Sequence, residues 1–235
     1  MIPVLVVPCL VRFDLLARLL DTLDEPVERI VVIDNSLNGW SDQRCDVIYP
    51  ISGLGYEGGL NAGIMQTPSA PWWLVCNDDI AFGARDLRSI AERIEAARGP
   101  CVVTGSRNDG RLLRLAYGAI NRACIERVGL FDDGFYPIYF GDDDYQRRCE
   151  LAGVEWVEYD GLILHGEHGD AGSMTIKSDA NAAAANSRTF MLNRDRYVAK
   201  WGGPPGGEVY DTPWDSGAPL SWWPIDMAGR AARTW

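Results

Sequence analysis

At 235 residues with 47% hydrophobic content, the chain is long enough to bury one sizeable core. Its formal charge of −11 excludes nucleic acid as a natural partner, because gripping phosphates needs a basic surface. The six scattered cysteines form no CxxC pair, and Cys9, Cys76 and Cys101, in or beside apolar runs, read as small core residues in a reducing compartment. The apolar start, Ile2 to Val11, has no basic leader, is broken by Pro3 and Pro8, and is too short to span a bilayer. These features predict a soluble, cytoplasmic protein without a transmembrane segment.

Val4 to Val7 predict a first strand, halted at Pro8. Leu15, Leu16, Leu19, Leu20 and Leu23 recur at helical spacing, and Arg29 to Ile33 then predict a second strand ending in Asp34. Strand, helix and strand in this compass make a βαβ unit with a parallel pair and a right-handed crossover. Asp34 either makes an Asx-turn or recognises a ligand's base or ribose.

Val47 to Ile51 is a third short strand, followed by Gly53-Leu54-Gly55-Tyr56-Glu57-Gly58. That string is GxGxxG, with Asp78 where a dinucleotide-binding acidic residue is sought. A NAD-type oxidoreductase is therefore one alternative. The context differs from a dinucleotide fingerprint, however. The motif follows the third strand rather than the first, and Leu60 to Gln66 predict barely two helical turns before Pro68. The glycines then imply close approach of backbone to a ligand or a neighbouring strand.

Trp72-Trp73-Leu74-Val75-Cys76 is an unbroken apolar run, the pattern of a strand buried on both faces. It stops at Asn77-Asp78-Asp79. Ligands of open α/β sheets sit beyond the carboxyl ends of strands, and two adjacent carboxylates there repel unless a cation joins them. Otherwise the pair caps the following turn and faces water.

Leu87, Ile90, Ala91 and Ile94 mark a further helix, and Cys101 to Thr104 a further buried strand. Asn108-Asp109-Gly110 signals a turn, and Leu112 to Ile120 and Arg122 to Val128 predict a strand and a short helix. Phe131 to Phe140 is an aromatic loop, after which Gly141-Asp142-Asp143-Asp144 opens a helix running to Ala152. Carboxylates suit a helix N-terminus, yet three in a row beside an aromatic loop point to at least one facing a cleft. Glu155 to Tyr159 and Leu162 to Leu164 predict two short strands, the second ending at His165, with His168 three residues on. Gly169 to Lys177 is Gly/Ser-rich, and Ala180 to Trp201 predict a long helix with Asp179 as cap and Gly202-Gly203 as stop. From Pro204 the chain is punctuated by Pro and Gly and rich in Trp, which predicts an irregular tail over residues 204–235 packed on the domain.

Taken in order, these motifs resemble the family 2 glycosyltransferases, and within them the rhamnosyltransferase-like branch. Gly55-Tyr56-Glu57-Gly58-Gly59-Leu60-Asn61-Ala62-Gly63 is similar to that branch's glycine-rich GFAGGNNxG segment. Asn77-Asp78-Asp79 stands where the family has NPD or DXD. The stretch Gly118 to Phe131, ending Val128-Gly129-Leu130-Phe131-Asp132, resembles an acceptor-side segment, and Phe140-Gly141-Asp142-Asp143-Asp144-Tyr145-Gln146-Arg147-Arg148 resembles FEDxDLxxR. In that last motif Gly141 replaces the family's glutamate.

The resemblance implies a GT-A (Rossmann-like) α/β fold. It would have a mostly parallel central sheet flanked by helices, a small antiparallel extension and an irregular C-terminal tail. Residues 1–203 would form the domain, 1–105 its nucleotide-sugar half and 106–203 its acceptor half. It implies a metal-dependent, inverting hexosyl- or deoxyhexosyltransferase acting from a nucleotide-diphosphate sugar onto a carbohydrate, lipid-linked or protein acceptor. Pro8, Cys9, Asp34, Gly55, Asn61, Asp78 and Asp79 would hold the donor. Asp79 and His165 would hold Mn2+ or Mg2+, Asp142 would be the base, and Tyr139 and Asp144 would meet the acceptor. Gly141 leaves a binding module with little turnover as another reading. A nucleotidyltransferase would need a basic glycine loop, which Pro8-Cys9-Leu10-Val11-Arg12 does not supply.

Overall fold

A computed structural model describes residues 1–107, 114–166 and 180–217. The strands are β1 (Leu5–Cys9), β2 (Ile30–Asp34), β3 (Val47–Pro50), β4 (Trp72–Cys76), β5 (Ile80–Ala81), β6 (Cys101–Arg107), β7 (Tyr117–Asn121) and β8 (Glu155–His165). They form one eight-stranded sheet in the order β3-β2-β1-β4-β7-β6-β8-β5. The first four of that order run parallel, β7 is antiparallel to both its neighbours, β6 and β8 are parallel, and β5 returns antiparallel on β8. This is an α/β architecture, mostly parallel, with an antiparallel portion.

The helices are α1 (Phe13–Asp21), α2 (Gly55–Gln66), α3 (Asp86–Ala96), α4 (Arg122–Val128), α5 (Gly141–Leu151) and α6 (Ala180–Trp201). They cover the sheet on both faces, and β4 shows how. Trp72, Leu74 and Cys76 enter a core shared with Leu16, Leu19, Leu87 and Ile90 of α1 and α3. Trp73 and Val75 point the other way, into a core with Leu60, Ile64, Cys124 and Tyr145 of α2, α4 and α5. Alternate residues of one apolar strand thus feed two layers, which is why the run contains no polar position. A third cluster joins Phe135 and Phe140 of the aromatic loop to Tyr197 and Trp201 of α6.

Four expectations change. Strand β1 runs through Pro8 to Cys9 instead of stopping. The even residues of β1 face β4, but the β1–β4 ladder ends at Val6, so the missing proline N–H interrupts no hydrogen bond. Helix α2 starts at Gly55 and has 12 residues, because the glycine segment is itself helical. A Cβ on Gly63 would lie within 3.1 Å of a Val6 methyl, so these glycines let α2 pack tightly on β1, and tertiary contact overrides their poor propensity. The two short strands expected after α5 are one strand, β8, paired along most of β6. Strand β7 begins at Tyr117, later than expected.

The expected turn at 108–110, the Gly/Ser-rich stretch at 169–177, the cap at Asp179, His168 and the tail beyond 217 lie outside the described residues. Among the described residues no helix is long and apolar enough to cross a membrane.

Candidate active site

Strands β1, β2 and β4 lie side by side and parallel, so their carboxyl ends, Cys9, Asp34 and Cys76, open on one edge of the sheet. A cleft lies there, about 770 Å³ when the space open to solvent is included. Pro8, Cys9 and Leu10 line it from β1, Asn35 from β2, and Asn77, Asp78 and Asp79 from β4. Gly53, Gly55 and Tyr56 close it from the start of α2, and Tyr136, Pro137 and Ile138 from the aromatic loop. Gly55 has φ +67°, and a Cβ there would meet the Pro137 carbonyl at 2.7 Å, so only glycine lets the two walls join. The Tyr56 N–H donates to that same carbonyl at 2.8 Å.

Asp79, which lines the cleft, has its Oδ1 3.1 Å from His165 Nε2. Ile80 pairs with His165 in the β5–β8 ladder, which draws the two side chains together. Their backbones are tied as well. Gly166 N–H donates to the Asp79 carbonyl at 3.0 Å, and Arg18 Nη2 of α1 donates to the carbonyls of Asp79 and Gly166 at 2.9 and 2.7 Å. Asn77 Nδ2 lies 3.3 Å from His165 Nε2, an amide donor beside the ring nitrogen. Asp79 is buried, and its Oδ1 has no hydrogen-bond partner despite the nearby imidazole. A buried carboxylate oxygen and an imidazole nitrogen converging without a hydrogen bond between them fit a shared cation.

One carboxylate and one imidazole are a donor set that fits a divalent cation. Among the described residues no group of three or more His, Cys, Asp or Glu gathers around one point. A cation here would take Asp79 and His165 from the protein and would need its remaining ligands from bound substrate or water. The neighbouring Asp78 is pushed up to about 7 by burial and then by the charge of Asp79. Burial and Asp78 together push the Cys9 thiol up, so Cys9 stays a neutral wall of the cleft.

The other expected residues divide. Asp34 is fully buried at the end of β2. Its Oδ1 accepts from the Ser36 N–H and hydroxyl at 2.9 and 2.6 Å, as in an Asx-turn, while Oδ2 has no partner. Asn61 lies away from the cleft, with both ends of its amide spent on the backbone of Phe131, at 2.9 and 3.0 Å. It anchors the aromatic loop instead of holding a ligand.

Asp144 is also displaced from its expected role. It is fully buried, bonded to Arg148 Nε at 2.9 Å, to Lys200 Nζ at 2.5 Å and to Trp201 Nε1 at 2.9 Å. Those partners fasten α6 to α5 and leave no free face for an acceptor. Tyr139, at φ +80°, is half-buried, stands edge-on to Phe190 of α6 and follows Ile138 of the cleft wall. Asp142 is half-buried on the first turn of α5, and its charge helps to raise Tyr56, which lines the cleft, although burial is the larger cause.

Sequence reasoning passed over Asn35 and Tyr136, whose loops carry no chemical motif, Tyr56, which it quoted within the glycine segment without a role, and Arg18, whose only signal was membership of an amphipathic helix. It also passed over Glu57, which lies inside the glycine segment.

No family model matches the sequence, and neither does any curated protein. Solved structures do match. A mannosyltransferase from Pyrobaculum calidifontis, solved with GDP-Man and Mn2+, superposes with a TM-score of 0.52 at 16% identity, over 67% of this chain and 54% of that one. Residues 1–349 of S. aureus TarS, in complex with UDP, superpose with a TM-score of 0.53 at 13% identity, over 68% of this chain and 58% of that one. This is a GT-A-like glycosyltransferase fold. The chain spans little more than half the length of these neighbours. In the GT-A-like frame the cleft lies at the carboxyl ends of the parallel strands, and the Gly53–Gly58 pattern follows the edge strand β3.

Proposed function

We propose that this chain is a cytoplasmic, metal-dependent, inverting glycosyltransferase of the rhamnosyltransferase-like branch. It would move a hexosyl or deoxyhexosyl group from a nucleotide-diphosphate sugar to a hydroxyl of a carbohydrate, lipid-linked or protein acceptor. The observation that carries this reading is the Asp79–His165 pair, 3.1 Å apart, with Asp79 in the lining of the cleft. GDP-Man, UDP and Mn2+ bound to the neighbours support the donor class.

Residues 1–105 would hold the nucleotide, with Asp34 at its base or ribose and Pro8, Cys9, Gly55 and Asp78 along its length. Residues 106–203 would meet the acceptor, with Tyr139 in the wall, and the tail over 204–235 would pack on the domain. Asp79 and His165 would hold Mn2+ or Mg2+, which supplies charge neutralisation for the departing diphosphate. Asp142 would take the proton of the acceptor hydroxyl as its oxygen bonds to the anomeric carbon. The bond from that carbon to the diphosphate oxygen breaks on the opposite face, and the leaving group keeps the electron pair. No protein nucleophile is needed.

The test is thermal unfolding with UDP-, dTDP- and GDP-sugars, with and without Mn2+, followed by mass analysis of acceptor mixtures incubated with each stabilising donor. Metal-dependent stabilisation and a product one sugar heavier support transfer. Stabilisation without any product from any acceptor favours the binding-module reading, and stabilisation by NAD instead overturns both.

A further inference from the structure

Glu57 is a buried carboxyl that the mechanism above does not use. It lies on the first turn of α2 and is 3% exposed. Its side chain crosses to the start of α5 and rests on Gly141, the first residue of that helix. A Cβ built on Gly141 would stand 2.5 Å from Glu57 Cδ and closer still to Oε1. The carboxyl therefore fills the volume that any side chain at 141 would need. It sits where the N-termini of two helices meet, a place whose dipoles favour negative charge. The residue before α5, Phe140, supplies no side-chain cap of its own.

Three carboxylates are near enough for their charge to bear on this group: Asp142 and Asp144 from α5, and Asp132 from the loop before it. Burial first, and then Asp142, Asp132 and Asp144, hold Glu57 well above the usual carboxylate range. A carboxyl kept neutral is a hydrogen-bond donor, and a donor at this point steadies an ionised neighbour. The neighbour one residue from the contact is Asp142.

We propose that Glu57 is a positioning residue for Asp142. Its carboxyl, seated on Gly141, sets where the Asp142 carboxylate stands, and glycine is required at 141 for that reason. The proposal rests on the glycosyl-transfer reading only for the role of Asp142 as base; the placement of Asp142 is independent of it.

Four variants test it: Glu57→Gln, Glu57→Ala, Gly141→Glu, and the double variant Glu57→Ala with Gly141→Glu. Each is crystallised, and kcat, KM and UDP or GDP affinity in Mn2+ are measured with the nucleotide sugar that best stabilises the wild type. Glu57→Gln keeps the donor and stays within about threefold of wild-type kcat, whereas Glu57→Ala loses about tenfold or more in kcat at unchanged nucleotide affinity. Gly141→Glu alone lowers the melting temperature through its clash with Glu57. The double variant, which returns a carboxyl to the same space from the other helix, regains both stability and turnover. In crystals of Glu57→Ala the Asp142 carboxylate is displaced, and in the double variant it returns.

Wild-type kcat and an unmoved Asp142 in Glu57→Ala overturn the proposal, as does a double variant whose losses simply add. If no nucleotide sugar is turned over, the transfer reading fails by itself, and the place of Asp142 in the Glu57→Ala crystals decides this one. Should Glu57→Ala not fold, the double variant decides: recovered folding with Asp142 in its wild-type place supports the proposal, and failure to recover overturns it.

Discussion

His165 Nε2 lies 3.1 Å from Asp79 Oδ1, although Asp79 stands in the turn between β4 and β5 and His165 ends β8, far along the chain. The antiparallel pairing of Ile80 with His165 brings them together, and Arg18 clamps the two backbones from α1. Main-chain contacts of β5, β8 and α1 thus fix the two side chains relative to each other, as the proposed metal site would need.

Asp79→Ala is expected to abolish the Mn2+-dependent part of UDP or GDP stabilisation and to leave the metal-free melting temperature at or above that of the wild type. His165→Ala should weaken Mn2+ binding by about tenfold or more, since it removes one of two protein ligands. Calorimetric titration of Mn2+ in the presence of nucleotide checks both. His165→Ala with wild-type Mn2+ affinity would remove the histidine from the metal shell.

Asp34→Ala is expected to weaken nucleotide binding while leaving its dependence on Mn2+ unchanged. The reason is the unpartnered Asp34 Oδ2, buried at the end of β2 beside the cleft strand β1. Removing one charge-assisted hydrogen bond costs about 1.5–3 kcal/mol, or roughly 10- to 100-fold in affinity. A cocrystal structure with the base and ribose remote from Asp34 would contradict the assignment.

Asp142→Asn is expected to keep donor affinity and lose turnover by about 10²–10⁴-fold, the loss typical of a missing general base. Asp143, also on the first turn of α5, projects about 100° away around the helix, so Asp143→Asn should be nearly silent. Steady-state kinetics on the two variants separate the roles. Comparable losses in both would point to helix stability in place of proton transfer.

The network under α6 makes a prediction about stability and pH. Burial alone would raise Asp132, but Lys200, 2.8 Å away, and Arg196, at 3.1 Å, outweigh it and hold the group at about 2, below its ordinary 3.8. A carboxylate lowered on folding stabilises the protein above its unfolded value and loses that contribution as pH falls through the folded one. Asp132→Asn should therefore cost about 2 kcal/mol at neutral pH, with the gap to wild type closing between about pH 4 and pH 2. Denaturant melts at several pH values measure it, and a gap that stays constant down to pH 2 would contradict the assignment.

Much of this was legible from residue order alone. The run Trp72 to Cys76 read as a strand buried on both faces, because five apolar residues between Pro71 and Asn77 match a strand's length and leave no polar face. The carboxyl end of that strand read as the place for a ligand, and a cleft does open there, while the leucines of α1 marked their own helix. These are local signals, written in period and punctuation. What tertiary structure decided was everything that depends on which distant segments share a volume. Asn61 and Asp144 read as site residues, but their polar atoms are consumed by Phe131, Arg148, Lys200 and Trp201 from elsewhere in the chain. Gly53 to Gly63 read as a loop before a short helix, yet its glycines mostly form α2, because β1 and the aromatic loop press against them. The glycine at 141 read as a missing carboxylate, whereas Glu57 fills that space from α2. A side chain's identity is local, but its burial and its partners are set by packing, and no spacing rule in the sequence encodes which two helix ends will meet.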